Sequence, residues 1–321
     1  MTVSDRRARQ SIAPRLREDR SGLRDSTRTY FAERAAGHLQ EVLLAGPGLA
    51  LYLVLIVGSV GVACFYSLTS WNGVSPDISF VGFLNYANIP SDPDVGRAFV
   101  VTAIIACSGT IVTNVLAIPI AVMLNRSDVV TRVFRSVIVY PVILSPIVTG
   151  LIWASILSTT GVLNSVLSKL GLPTTVILAD PDQAVWALAF VSVWHTLGLC
   201  VILYLAGLQT IPTDLEEAAA IDGAGGLSRF WHITLPLLAP TMTVNIVLLT
   251  IWFMRTYDYV VVMTGGGPVT ATNTVAFLVL QRAFQGFRYG FGSAIAVVLL
   301  IITVLLSAVI FVGSRRREAY L

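Results

Sequence analysis

The sequence predicts an all-α polytopic membrane protein with six transmembrane helices. Three observations carry that reading. Of 321 residues, 55% are hydrophobic and only 12% are charged, whereas a soluble domain is about 25% charged. Apolar runs of about 20 residues, long enough to cross a bilayer, occur six times. The basic residues lie at the ends: nine of the 20 arginines precede residue 35, and Arg315, Arg316 and Arg317 close the chain. Positive charge is retained in the cytoplasm, so both termini are expected there.

The runs fall near 42–68, 98–124, 133–157, 184–208, 237–263 and 290–313. Backbone groups in hydrocarbon must bond to one another, so each run is expected to be a helix. An even number of spans puts both ends on one side, in agreement with the arginines. The 125–132 connection, with Arg126 and Arg132, and the 209–236 connection fall on the cytoplasmic side. The connections 69–97, 158–183 and 264–289 fall outside and hold few basic residues. Residues 1–41 and 314–321 are read as cytoplasmic tails. The basic first tail acts as an orientation signal or touches anionic membrane lipid. Pro119, Pro141 and Pro146 lie inside predicted spans, where each removes a helical hydrogen bond and favours a kink.

Several chemistries find no support. Cys64, Cys107 and Cys200 stand singly, without a CxxC or Cys/His cluster, so neither a disulfide framework nor a metal site is expected. Arg6-Arg7 stands too far from the first apolar run to read as a cleaved signal. No Walker A pattern surrounds the single lysine, Lys169, and no HExxH pattern occurs. Only Asp258 is a carboxylate within a predicted span. A secondary transporter is expected to need more such groups. Nothing calls for nucleic acid.

The 211–236 segment is polar and helix-prone between two apolar runs. Thr213 and Glu216 have the spacing of a capping box, and Asp214, Glu216 and Glu217 place negative charge on a first turn. Ala218 to Ala220 favour helix. Gly223 is expected to stop it, since glycine turns left-handed without strain. A second helix from about Leu227 would carry Phe230 and Trp231 before Pro236 ends it. The product is an elbow with small residues on its face, suited to a groove on another protein.

Glu217-Ala218-Ala219, Gly223 and Ile233-Thr234-Leu235-Pro236 stand at the offsets of the EAA loop. The chain thereby resembles the membrane subunits of ABC importers. Further pieces resemble the carbohydrate-uptake permeases: Phe80-Val81-Gly82 with Asn85-Tyr86, Gly161 with Asn164, Ala206-Gly207-Leu208-Gln209, and Thr264-Gly265-Gly266-Gly267-Pro268 with Thr272 and Thr274. The last piece is similar to the subunit type of the maltose-system F and glycerol-3-phosphate-system A permeases. The resemblance runs from about Glu41 to Gly313.

The resemblance implies a type I ABC importer permease fold in a bacterial inner membrane. It implies that Glu217, Ala218, Ala219, Asp222, Gly223 and Ala224 couple to a separate dimer of ATP-binding cassette subunits. ATP and magnesium would bind there, with no cofactor on this chain. It further implies a second EAA-bearing permease and an extracytoplasmic solute-binding protein or lipoprotein. Substrate is expected to meet Ser192, Trp194, His195, Leu199, Leu249, Phe253 and Thr256. Trp194 is read either as a stacking platform for a sugar or as a packing aromatic. His195 bonds either a substrate hydroxyl or a neighbouring helix. Phe253 and Thr256 replace amide side chains of the maltose type, which argues against maltose. Arg255 and Asp258, three apart, form either a structural ion pair on one helix face or, for a glycerol phosphate, a site in which Arg255 holds the phosphate.

Overall fold

The computed structural model describes residues 44–126 and 128–318. The predicted tail 1–41 lies outside them. All regular elements among the described residues are helical, apart from one isolated bridge between Thr69 and Phe80. The chain divides into two compact units, Met1–Val62 and Ala63–Leu321. Helix α1 is Leu44–Ser67, and none of its residues from Leu44 to Val62 is buried.

In the second unit follow α2 (Leu84–Asn88), α3 (Pro93–Met123), α4 (Val129–Ile143), α5 (Pro146–Leu157), α6 (Val162–Lys169) and α7 (Pro181–Leu208). Then come α8 (Thr213–Ile221), α9 (Gly226–Leu237), α10 (Ala239–Met254), α11 (Asp258–Met263), α12 (Val275–Gln285) and α13 (Tyr289–Glu318). Three of these helices begin with the same device. Asp92, Asp128 and Asp180 each accept a hydrogen bond from a backbone N–H of the first turn, and Pro93 and Pro181 fill the first helical position, where proline needs no donor.

Helices α3 and α7 pack along each other. α10 lies against α3 and α13, and α4 against α7. The core is made where they meet, with Ile105, Leu188, Val191, Val201, Tyr204, Phe253 and Ile295 almost fully buried. Gly198 allows the close contact of α7 with α4. A Cβ there would stand 2.3 Å from the Ile138 carbonyl oxygen and 2.8 Å from Val139 Cα.

Two predicted spans are not single helices. The run 133–157 divides between α4 and α5, because Leu144 and Ser145 are extended, with ψ of 147° and 139°. A residue before proline avoids the helical region, so Pro146 breaks the segment rather than kinking it. By contrast, α3 and α4 continue through Pro119 and Pro141. The run 237–263 divides after Met254, and α11 resumes at Asp258. No proline marks this second break. The freed Thr256 carbonyl accepts a hydrogen bond from Thr274 Oγ1 at 2.7 Å. The 264–289 connection contains α12, and α13 stays helical to Glu318, past the end of its apolar span at Ser314.

The three predicted outer connections meet at one end of this unit. Arg97 donates to the Val269 carbonyl and to Thr270, both at 3.2 Å. Arg282 pairs with Asp92 at 3.0 Å and Asp94 at 2.8 Å. Helix α7 then runs 28 residues, about 42 Å, to the elbow at the opposite end.

Gly198→Ala is expected to destabilise the fold by about 1–3 kcal/mol, the usual cost of overpacking. A lower unfolding temperature in detergent checks this, and an unchanged one contradicts the close approach. A second prediction concerns acid. The Gln183 and Asp182 backbone N–H groups and the Gln183 amide hold the Asp180 carboxyl below its ordinary 3.8. A lowered folded pKa stabilises above the unfolded value, and that contribution is lost as pH falls through the folded one. The stability gap between the parent chain and Asp180→Asn should therefore narrow as pH drops below 3.8, measured by unfolding at a series of pH values.

Candidate functional sites: an exposed elbow and a recess at two helix breaks

The elbow is built by local rules. Pro212, with φ −60° and ψ 128°, stands at the N-cap of α8, and no side chain caps that end. The expected Thr213 capping box is therefore absent. The helix starts one residue early, so Thr213 is its first helical residue. Asp214 and Glu216 do lie in the first turn. The stop at Gly223 has the form read from the sequence: φ is +81°, Gly223 N–H donates to Ala220 O at 3.1 Å, and Ala224 N–H donates to Ala219 O at 2.9 Å. These paired bonds close the last turn and fix the reversal. Arg229 bonds the Glu216 carbonyl at 3.4 Å and ties α9 back to α8. Helix α9 carries Phe230 and Trp231, widens at Phe230–Thr234 and ends at Leu237, one residue past Pro236. The chain then bends by 66° between α9 and α10.

Of the predicted coupling residues, Glu217, Ala218, Asp222 and Gly223 are exposed, and Ala219 and Ala224 are half-buried. No atom approaches a Cβ built at Gly223, Gly225 or Gly226 within 4 Å. Beside these small residues stand apolar side chains that water does not favour. Ile221 is 86% exposed and Leu227 is 74% exposed, with Leu215 and Trp231 also out. A rigid turn that shows small and apolar side chains together fits the groove of another protein.

The second site lies where the two broken segments meet. Pro146, Trp252, Arg255, Thr256, Asp258 and Tyr259 line a recess of about 180 Å³. His195, almost fully buried on α7, closes in beside it. Its Nε2 lies 3.0 Å from the Leu144 carbonyl, freed at the first break. A carbonyl only accepts, so Nε2 carries the proton and Nδ1 is left as an acceptor. The His195 ring lies 6.0 Å from Tyr259 and 6.4 Å from Trp252. Three buried polar atoms in this cluster have no protein partner: His195 Nδ1, Thr256 Oγ1 and Tyr259 Oη. Buried polar atoms are seldom left unpaired. Here they form a polar cluster at the two breaks, closed off from solvent.

The structure gathers only part of the predicted pathway. His195 and Thr256 come together. Ser192 is buried, and its hydroxyl turns back to the Leu188 carbonyl at 2.8 Å. Leu249 and Phe253 are core residues, with Phe253 against Gly109. Trp194 is half-buried and meets the Trp153 ring edge-on at 5.5 Å. Leu199 is half-buried on α7. The Arg255–Asp258 ion pair does not form: α10 stops at Met254, so the two are not one turn apart on one helix. The salt bridges among the described residues are those of Arg282. Arg255 and Asp258 instead share the rim of the recess. Sequence reasoning missed Trp252 and Tyr259. The signal was present in Trp252-Phe253-Met254-Arg255-Thr256-Tyr257-Asp258-Tyr259, a polar and aromatic cluster within an apolar run.

Comparison with known proteins gives the following. A family described as the binding-protein-dependent transport system inner membrane component matches residues 113–316. The chain is 33% identical to the multiple sugar-binding transport system permease protein MsmF of Streptococcus mutans, over 79% of this chain and 88% of that one. It is 34% identical to the sulfoquinovosyl glycerol permease SmoG of Agrobacterium fabrum, over 84% and 89%. It is 30% identical to the sn-glycerol-3-phosphate permease UgpA of the same organism, over 87% and 95%. Its fold matches a chain of a bacterial alginate ABC transporter, solved with an alginate pentasaccharide-bound periplasmic protein. The TM-score is 0.77 at 21% identity, covering 89% of this chain and 96% of the other.

His195→Leu should leave the Leu144 carbonyl buried without a donor. The expected loss of stability is about 1–3 kcal/mol. Thermal unfolding of the purified chain checks it, and an unchanged midpoint would contradict the bond's role at the break.

Proposed function

The chain belongs to the family of binding-protein-dependent transport system inner membrane components, and on that premise we propose that it forms one half of the translocation pathway of an ATP-driven carbohydrate importer. That family sets aside the secondary-transporter alternative. One observation carries the coupling: the Schellman-closed elbow at Thr213–Leu237 presents the EAA residues and exposed apolar side chains at the end of the long helices. A dimer of ATP-binding cassette subunits grips this elbow, and ATP with magnesium binds there. A second EAA-bearing permease supplies the other half of the pathway. A solute-binding protein delivers substrate at the opposite end, where the three outer connections meet. The Arg-rich ends of the sequence favour a cytoplasmic location for both termini.

The mechanism is one of differential affinity. ATP closes the cassette dimer and favours one pore state over the other, so the free energy of nucleotide binding shifts the pore equilibrium. The bend between α9 and α10 turns displacement of the elbow into displacement of α10. At the far end of α10 lies the recess, where His195 Nδ1, Thr256 Oγ1 and Tyr259 Oη meet substrate hydroxyls and Trp252 offers an aromatic face. Arg255, not paired with Asp258, favours a second reading, import of a glycerol phosphate. Its guanidinium would then hold the phosphate.

Gly223→Pro tests the coupling. Proline fixes φ near −65°, whereas this residue needs +81° and donates its N–H. Uptake of radiolabelled sugars by cells that express the complete system should fall to background while the chain stays membrane-inserted. Normal uptake would remove the elbow from the mechanism. Uptake of sn-glycerol 3-phosphate, lost in Arg255→Gln, would select the second reading.

A further inference from the structure

A second recess, of about 480 Å³, opens at the end opposite the elbow, lined among others by Arg97, Ile104, Asp182, Trp186, Pro268 and Val269. Its volume lies within the range of small-molecule sites, and like them it is mostly apolar with a few polar groups. Asp182 and Trp186 stand one helical turn apart on α7, where residues four apart share a face. Both are exposed, Trp186 by 58%. Arg97 enters from α3. It spends one nitrogen on the Val269 carbonyl and Thr270 Oγ1, and its other N–H donors face no partner among the described hydrogen bonds. Val269 and Thr270 have φ of 44° and 63°. For a β-branched residue this conformation is strained, and such strain persists where the surroundings hold it.

We propose that this recess is an outer receiving site for a neutral carbohydrate, distinct from the recess at the helix breaks. The axial C–H bonds of a pyranose make one face apolar, and the Trp186 ring covers it. The ring's hydroxyls donate to the Asp182 carboxylate and accept from the Arg97 guanidinium. The two charges cancel, so the site selects against anions and favours uncharged polyols. Three segments that are distant in sequence contribute to it, so a sugar bound here would bridge α3, α7 and the 268–271 loop. The inference rests on the carbohydrate reading above.

The full chain in lipid nanodiscs, with maltose, trehalose and sn-glycerol 3-phosphate as probes, tests it by saturation-transfer difference NMR. At least one of the two sugars should take up saturation, and the glycerol phosphate should not. Trp186→Leu, which keeps an apolar residue at this depth, and Asp182→Asn should each weaken sugar binding about fivefold, as expected for loss of one stacking or hydrogen-bonding contact. Trp186→Phe should restore part of it. No sugar signal, or a signal unchanged in both variants, overturns the proposal. ATP-dependent uptake that persists in that case leaves the importer reading intact. A Trp186-dependent signal without any uptake dependent on this chain contradicts the importer reading and leaves the recess.

Discussion

A carbonyl or N–H buried away from water must find a partner, and this constraint organises the protein. It turns each apolar run into helix, since only a helix satisfies its own backbone in hydrocarbon. It also fixes what happens where helices break. At Leu144 the free carbonyl meets His195 Nε2, and at Thr256 it meets Thr274 Oγ1. Each break is thus a place where polar side chains are brought deep into an apolar unit. The recess lined by Thr256 and Tyr259, with His195 beside it, follows from those interruptions.

The elbow and the recess sit at the two ends of one helix. α10 is 16 residues long, about 24 Å, and begins at the 66° bend that follows α9. It packs against α3, α13 and α7, and Phe253 sits against Gly109 at its far turn. In the proposed mechanism this helix, with the elbow at one end and the polar recess at the other, acts as a lever. Displacement of the elbow would reach the recess, since packed helices move as units rather than deforming continuously.

Much of this was legible in the sequence. Among the described residues five helices are long and apolar enough to cross a membrane, and six if the bent pair α9–α10 counts as one. These apolar helices and the helix-stopping Gly223 depend on composition and on one residue's backbone freedom, which are local properties. Pro146 was legible as a disturbance, although it breaks the segment rather than kinking it. Pro119 and Pro141 leave their helices unbroken, so a proline alone does not say which will happen. The break after Met254 was not legible. No proline or glycine marks it, and it is stabilised by Thr274, 18 residues away. The same break separates Arg255 from Asp258, so a pairing argued from helical spacing fails. Ser192, Leu249 and Phe253 were placed on a pathway, but they pack inside the unit. Which face of an all-apolar helix looks inward is decided by its neighbours, and α7 is apolar nearly all round. Pro212 caps α8 in place of Thr213, a shift of one residue of the kind that helix ends commonly show.

The lever account is tested most directly at Glu217. In a chain whose own cysteines are replaced by serine, Glu217→Cys is assembled with its partner subunits and treated with a bifunctional thiol cross-linker, with and without ATP. The account predicts a cross-link to the nucleotide-binding subunit whose yield changes with nucleotide. Labelling of that cysteine by a membrane-impermeant maleimide from outside intact cells, or no cross-link in either state, would contradict it.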